Sequence, residues 1–422
     1  MEAAAAEAQQ AAQPWLGSDF QQMLLDQRVG DPAQYAALCA AEATRWEQEG
    51  NFAWAYRYWK LRVQWVAKLR DAVAYKEARL RAGECQANDA KATATRSCGA
   101  AKTKLAQAIE TLRQAGATES RIAELRRLHD EYALKSLDEM GSIPLPREPF
   151  QSATDAAVQA AIEGVRGKTF TDALIWMAEY YRPTEAAAMR EAVTKQAQNS
   201  PLLMLIGRDF VGARGRTIAR SEGGLDVDEQ RILTRMYDMA GQVEWHFRMV
   251  AVRTAIGEIM AEHNPQMADL AFLLAPNPLI EPGREMLFAE GLMAGLRDDW
   301  VGSAHLLVPQ VEHMLRYMLQ MVGAETTALS PGGVEDVFGL DRLLRSTPKL
   351  QELIGPDLMF DLRGILVERA GLNLRNNIAH GLIPADAFYG AGPVNLWWLV
   401  LHMLSRPFFN TAQEDTTPAT ER

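Results

Sequence analysis

The stretch LRNNIAHGLI at residues 374–383 places one arginine, two asparagines and one histidine within six consecutive positions. These residues are Arg375, Asn376, Asn377 and His380. Imidazole exchanges a proton near neutral pH, guanidinium carries a fixed positive charge, and amides both donate and accept hydrogen bonds. Two interpretations follow from these residue types: a helix end capped by a histidine, or a site where RNA is cut.

Residues 373–382, placed on an α-helix at about 100° per residue, form an amphipathic segment. Three apolar side chains share one stripe suited to packing against a bundle, namely Leu374, Ile378 and Leu382. The opposite side carries amides and an imidazole, namely Asn373, Asn376, Asn377 and His380. Asn376 and His380 are one turn apart and can touch. This polar face is made of donors and acceptors rather than the usual Lys and Glu, which packing alone leaves unexplained.

Gly381 predicts where this helix ends, because glycine readily adopts the left-handed conformation found just after a helix. His380 would then lie in the last helical turn. The negative end of the helix dipole favours a protonated imidazole there, which suits a group that exchanges protons at neutral pH. A histidine that only stabilises the helix end would show the same pattern.

A longer helix is expected upstream, within residues 291–323. Its apolar run consists of Val311, Leu315, Met318 and Val322. Its polar side carries Gln310, Glu312, His313 and Arg316. Glu312 and Arg316 are four residues apart, a spacing that predicts an ion pair along the helix. The alternative is that this pair only solvates and stiffens the helix.

Three stretches together resemble a known group of proteins: GLMAGLRDDW, AHLLVPQVEHMLR and LNLRNNIAHGL. They are similar to a bacterial family of unknown function within the HEPN superfamily (higher eukaryotes and prokaryotes nucleotide-binding domain). The resemblance covers roughly residues 280–405. It implies an antiparallel helical bundle that dimerises so that two Arg-x4-His motifs face each other, and many such domains are metal-independent endoribonucleases.

The resemblance also implies a role for each residue. Arg375 would stabilise the phosphate and its developing charge, and His380 would act as general acid or base on the 2′-hydroxyl or the leaving oxygen. Asn376 would orient the histidine or the phosphate. The supporting residues would be Asn377, Glu312 and Arg316. No metal ion or other cofactor is expected, and the arginine of one chain would reach the histidine of the other.

Composition limits the function classes. The chain has 422 residues, with 44 Lys and Arg against 54 Asp and Glu, a net charge of -10. This balance argues against a protein that grips nucleic acid by bulk electrostatics, although a local basic surface remains compatible with it. The three cysteines, Cys39, Cys85 and Cys98, suggest neither a disulfide framework nor a metal site, which favours a reducing, cytoplasmic location.

Helical periodicity dominates the chain, so we expect an all-α fold with N-terminal helical hairpins and a C-terminal antiparallel bundle. The hairpins would close at Gly50-Asn51 and at Gly83. Composition shifts suggest six segments: a disordered leader (1–16), an N-terminal helical domain (17–139), a Pro/Gly linker (140–152), a middle helical domain (153–279), the HEPN-like domain (280–408) and a disordered tail (409–422). No apolar stretch is long enough to span a membrane.

One other motif is tempting. Gly167-Lys168-Thr169 matches the end of a phosphate-binding P-loop, but the glycine required five residues earlier is Ile162. A helix-terminating turn is the favoured interpretation.

The leading hypothesis is an endoribonuclease that acts on RNA as a homodimer, and the resemblance suggests a role as a toxin or anti-phage defence effector. In this hypothesis the N-terminal helices bind a protein partner. The alternatives are a non-catalytic interaction protein, in which the Arg-His face only supports dimerisation, and a nucleotide-binding regulator.

Overall fold

The computed structural model describes residues 14–141, 147–180, 182–200, 207–221, 223–224 and 228–414. These residues are mostly helical, with two short two-stranded sheets, so the expected all-α fold is confirmed. The chain divides into two compact units, one formed by residues 1–143 and 211–217 and the other by residues 144–210 and 218–422.

The helices described in the first unit are α1 (Pro14–Asp26), α2 (Pro32–Gln48), α3 (Phe52–Leu69), α4 (Ala72–Thr93), α5 (Cys98–Gln114) and α6 (Glu119–Asp138). From α2 onward, each helix packs on the next. Polar side chains cap the starts of α2 to α6, namely Asp31, Asn51, Asp71, Ser97 and Thr118. Each cap satisfies backbone donors that a helix start leaves free, so short loops suffice between helices.

Glycines have different roles at the two expected hairpin ends. Gly50 has a φ of +75° directly after α2, so the predicted turn there is confirmed. Gly83 lies inside α4 instead, and the prediction that it closes a hairpin is wrong. A Cβ at Gly83 would lie 2.6 Å from Leu112 of α5, so the glycine allows these helices to approach closely. The chain turns earlier, at Arg70, whose φ is +57°.

The second unit contains thirteen described α-helices, seven of them before residue 300. These are α7 (Arg147–Val165), α8 (Phe170–Tyr180), α9 (Ala186–Asn199), α10 (Glu229–Gln242), α11 (Glu244–Glu262), α12 (Ala271–Leu274) and α13 (Glu285–Leu296). The others are α14 (Trp300–Met321), α15 (Leu340–Ser346), α16 (Pro348–Ile354), α17 (Pro356–Leu366), α18 (Leu374–Ala379) and α19 (Ala391–Glu414).

The strands are short. They are β1 (Arg208–Val211), β2 (Thr217–Ser221), β3 (Thr327–Leu329) and β4 (Glu335–Val337). β1 pairs with β2, and β3 pairs with β4 in antiparallel register. Among the described residues, every helix is either too short or too polar to span a lipid bilayer.

One hydrophobic core runs through the second unit, from Ala161 in α7 to Leu404 in α19. Residues 153–279 and 280–408, which the sequence suggested as two domains, both contribute to it. The physical reason lies in α19, where every residue from 392 to 401 is buried. A helix that is buried all round needs neighbours on every side, and α8, α11, α14 and α17 supply them from both blocks.

The expected segment boundaries differ from the helix ends. Helix α7 begins at Arg147, so residues 147–152 of the expected linker are helical. Helix α19 continues to Glu414, so the first residues of the expected tail are helical too. The expected leader overlaps the start of α1, which begins at Pro14. The remaining parts, residues 1–13, 142–146 and 415–422, lie outside the described residues.

The chain after α7, where Gly167-Lys168-Thr169 resembles the end of a P-loop, forms a turn. Helix α7 ends at Val165, and Gly167 follows with a φ of +70°. The predicted helix-terminating turn is therefore confirmed. The N–H of Gly167 donates to the Glu262 carboxylate at 2.8 Å, so this backbone donor already has an acidic partner.

Candidate functional site

The backbone between α17 and α18 folds back on α17 and fixes where α18 starts. The N–H of Gly371 donates to the Glu368 carbonyl at 3.0 Å, and the N–H of Leu372 donates to the Gly364 carbonyl at 2.9 Å. A Cβ at Gly371 would overlap the Gly364 backbone, so a glycine is needed for this approach. Asn373 then adopts a φ of +48°, which asparagine tolerates better than most residues.

The C-terminal end of α18 has the hydrogen bonds of a Schellman motif. The N–H of Gly381 donates to the Ile378 carbonyl at 3.0 Å, and the N–H of Leu382 donates to the Asn377 carbonyl at 2.8 Å. Gly381 has a φ of +62°, so the predicted left-handed glycine is confirmed. His380 is the C-cap residue.

The apolar stripe of α18 is shorter than expected. Leu374 is buried in the core and Ile378 packs against it, as predicted. Leu382 is 48% exposed, so its expected place in the stripe is wrong, because the helix has already ended. Leu374 also lies 3.5 Å from the position a Cβ would take at Gly392 of α19. The N-terminal half of α18 is therefore anchored.

Arg375 points toward α14, where it meets the predicted ion pair. Its Nη2 atom lies 3.5 Å from Glu312 Oε2, and Arg316 Nη2 lies 3.1 Å from Glu312 Oε1. Arg316 also donates to the Phe338 carbonyl at 3.0 Å. The side chains of Glu312 and Arg316 are only 19% and 15% exposed, so this pair is not a solvated surface pair. Glu312 therefore bridges two guanidinium groups from separate helices.

These groups line a cleft of about 620 Å³. Its lining residues come from the loop before α13, from α14 and from α18: Arg284, His305, Val308, Pro309, Glu312, His313, Arg316, Arg375, Ile378 and Ala379. Three arginines and two histidines thus face one glutamate, beside an apolar wall. Arginines beside apolar surface suit a ligand that joins an anionic group to a less polar one.

A second network of polar contacts lies at the part of the cleft formed by His313 and Arg284. His313 Nε2 lies 2.8 Å from Glu281 Oε2, and Arg284 Nε lies 3.4 Å from the same oxygen. Arg284 also donates to Gln310 at 3.1 Å. Burial, followed by the neighbouring Arg284 charge, lowers the pKa of His313 below its usual value, even though Glu281 opposes this change. The lowered pKa favours the neutral imidazole, whose Nε2–H can donate to the Glu281 carboxylate.

The structure separates the proposed catalytic residues. His380 is exposed and does not line the cleft that contains Arg375. The side chain of Asn376 accepts from Arg375 at 3.2 Å and donates to Asn373 at 2.7 Å, rather than contacting His380. Asn377 donates to the Leu372 carbonyl at 3.2 Å, so it holds the start of α18. Within one chain, Arg375 and Asn376 are brought together, and His380 lies apart.

Sequence reasoning missed three contributors to the cleft region, namely Arg284, Glu281 and His305. Arg284 and Glu281 lie in a proline-rich loop about 90 residues before Arg375, and no local pattern connects them to it. The His305 ring stacks on Phe388 at 5.3 Å between ring centroids. The i, i+7 and i, i+8 spacing of His305, Glu312 and His313 along α14 was the available clue, since residues so placed share a helix side.

No group of three or more His, Cys, Asp or Glu side chains suited to a metal ion occurs in the described part of the chain. No protein-family model matches the sequence, and neither the curated proteins nor the solved structures contain a significant match to the chain.

Proposed function

We propose that this protein is a metal-independent endoribonuclease of the HEPN type, with a composite site made of Arg375 from one chain and His380 from a second. The observation that carries the proposal is the position of Arg375. Its guanidinium lies in a cleft with two other arginines and is held there by Glu312. Fixed guanidinium groups stabilise negative charge that develops on a phosphate during bond cleavage.

The chemistry needs a proton carrier and charge stabilisation. The 2′-oxygen of the RNA attacks the adjacent phosphorus as it loses its proton, and the bond to the 5′-oxygen breaks as that oxygen gains a proton. The products end in a 2′,3′-cyclic phosphate and a 5′-hydroxyl. His380 would exchange one of these protons, and Arg375 would bind the non-bridging oxygens.

A second copy of the chain is part of the proposal because of where His380 lies. It is exposed at the end of α18, while Arg375 lies in the cleft. In a two-fold symmetric dimer, the exposed histidine of each chain can face the cleft of the other. Two equivalent sites would result. A role as a toxin or anti-phage effector belongs to the same proposal and is supported only by the sequence resemblance.

The test is RNA cleavage in the presence of EDTA. Purified wild type, His380→Ala and Arg375→Ala are each incubated with total RNA, and the ends of any products are mapped. We expect cleavage by the wild type with cyclic phosphate ends, and a loss of about 100-fold or more in both variants. His246→Ala is the matched control, because His246 is also exposed but lies on α11. Equal cleavage by wild type and His380→Ala would overturn the proposal.

A non-catalytic module that binds nucleotides or a protein partner is the alternative. The apolar side of the cleft, formed by Val308, Pro309 and Ile378, supports nucleotide binding, since a base could lie against it. This alternative predicts nucleotide binding that depends on Arg375, together with no RNA cleavage by the wild type. Thermal-shift measurements with mononucleotides, combined with the cleavage assay, separate the two functions.

A further inference from the structure

A second cleft in the same unit contains a different set of arginines. Its volume is about 300 Å³, at the lower end of the range for small-molecule pockets. Its lining residues come from β2, α10, α15, α17 and the loop after α17: Ile218, Ala219, Arg220, Gln230, Leu233, Thr234, Tyr237, Arg345, Arg363, Glu368, Arg369 and Ala370. None of them lines the Arg375 cleft.

Two of these arginines are fixed by one buried carboxylate. Glu368 is 8% exposed. Arg345 donates to both of its oxygens, at 2.8 and 3.1 Å, and Arg363 donates to Oε1 at 2.6 Å through Nη2. A two-pronged contact of this kind fixes the plane of a guanidinium. Arg345 and Arg363 therefore keep their positions without a ligand, which lowers the entropy lost on binding.

Arg369 is the arginine with an unused charge. Its side chain is exposed, and it forms no hydrogen bond or ion pair with any residue that the structure describes. Arg220 is paired with Asp209 at 2.7 Å. Arg345 also contacts Asp341. Among the described residues, Asp209, Asp341 and Glu368 contact the other three arginines of the cleft, and Arg369 contacts none of these carboxylates.

The floor of the cleft is apolar and rigid. Tyr237 is 3% exposed, and its ring stacks on Phe360 at 4.6 Å between centroids. Leu233 and Ala370 add apolar surface, and Gln230 adds an amide. A pocket with an aromatic floor and a cationic rim fits a small organic anion better than a bare ion.

We propose that this cleft binds a small phosphate-bearing ligand, up to about the size of a nucleoside monophosphate, with Arg369 as the main contact to the phosphate. Arg345 supplies the second positive group. The site is separate from the proposed RNA-cutting cleft, so it would be a second ligand site on the same unit.

The test uses the full-length protein and isothermal titration calorimetry. Pyrophosphate and AMP are the two probes, since one contains only the phosphate chemistry and the other adds an organic part. We expect saturable binding with a dissociation constant of about 1 mM or tighter. Arg369→Gln should weaken binding about tenfold, because one charge-assisted hydrogen bond is lost. It should not affect folding, since Arg369 has no partner among the described residues.

A matched control and a variant of the other cleft assign the site. Arg297→Gln removes another exposed arginine and should leave the dissociation constant for the tighter-binding probe unchanged. Arg375→Gln measures any binding of the probes at the Arg375 cleft. Arg345→Gln, checked for folding by circular dichroism, should weaken binding as well. The proposal is overturned if neither probe binds saturably, or if binding is lost in Arg375→Gln and unchanged in Arg369→Gln. Neither result bears on RNA cleavage, which the His380 and Arg375 variants test separately.

Discussion

At the scale of single residues, Glu312 occupies the place in the Arg375 cleft where an anion would bind. Its carboxylate contacts Arg316 and Arg375 and is only 19% exposed. The Nε atom of Arg316 is buried and has no hydrogen-bond partner among the described residues. An RNA phosphate would therefore compete with Glu312 for two guanidinium groups, while one buried donor remains unused.

Glu312→Gln should strengthen RNA binding, because among the described lining residues it removes the one negative charge of the cleft and keeps the side chain's size. We expect the dissociation constant for a labelled RNA oligomer to fall about threefold or more, with a steeper salt dependence than in the wild type. Fluorescence anisotropy at two salt concentrations measures both. Glu290→Gln, an exposed glutamate on α13, is the control. Unchanged or weaker binding by Glu312→Gln would contradict this role.

Single residues also show which features of the site could be predicted from the sequence. The ion pair of Glu312 with Arg316 and the left-handed Gly381 were predictable, because helix spacing and helix ends are local properties. That Arg375 contacts Glu312 was not, because 62 residues and the turn at Gly371 separate them. Spacing on a helix also placed Leu382 in the apolar stripe, since it could not show how short α18 is.

At the scale of elements, the site depends on how α17 is connected to α18. The return loop lets Gly371 approach the backbone of Gly364 directly. The same loop carries Glu368, which holds two arginines of the second cleft. The connection therefore positions parts of both clefts.

Gly371→Ala should destabilise the protein by about 1–3 kcal/mol, because its Cβ would overlap backbone atoms of Gly364 that have little room to move. Urea unfolding followed by circular dichroism gives the free energy of unfolding. Gly392→Ala is the matched control, since a Cβ there would meet Leu374 at an ordinary contact distance of 3.5 Å. Equal stability of the two variants would be inconsistent with the close approach.

The contact between α19 and α8 should depend on pH. His402 Nδ1 lies 2.8 Å from the Ala178 carbonyl, and burial lowers the pKa of His402 below its usual value of 6.5. The unfolded chain therefore binds a proton at pH values where the folded protein does not. The free energy of unfolding should decrease as the pH falls below about 6.5.

Melting temperatures measured between about pH 8 and pH 5.5 test this expected loss of stability on acidification. The wild type should lose several degrees on acidification, and His402→Asn should lose less, because the amide can donate to the carbonyl and does not titrate. His313 also has a lowered pKa, but it is present in both proteins. The same pH dependence in wild type and variant would rule out His402 as the cause.

At the scale of the whole molecule, the second unit is held together across its sequence blocks. Arg248 of α11 and Asp361 of α17 form an ion pair at 2.8 Å, with side chains only 6% and 0% exposed. Asp361 also accepts from Trp245 and from the N–H of Thr184. The guanidinium of Arg248 lies over the ring of Trp398 in α19. Charged groups this deeply buried are stable only with their partners.

Asp361→Ala should cost about 3–5 kcal/mol of stability, because it leaves the Arg248 charge buried without its counter-ion. Urea unfolding of the full-length protein measures the change in the second unit. Asp336→Ala is the control, since Asp336 is exposed in β4. A loss below about 1 kcal/mol would show that the network contributes little beyond a surface pair.

The overall architecture was predictable only in part. Helical periodicity predicted an all-α fold, because the apolar residues of a helix recur at helical spacing along its buried face. The common core of residues 153–279 and 280–408 was not predictable, because prolines between helices resemble a domain boundary whether or not the flanking helices pack together. Trp245 against Gly364 is such a contact, with 118 residues between the two positions.

The central claim is a composite site made by two chains, and mixing two inactive variants tests it most directly. Arg375→Ala and His380→Ala are unfolded together and refolded as a mixture, and RNA cleavage in EDTA is measured against each variant alone. Half of the dimers would contain one of each chain, and one of their two sites would be intact, so about a quarter of the wild-type activity should return. A mixture as inactive as the separate variants, beside an active wild type, would contradict the composite site.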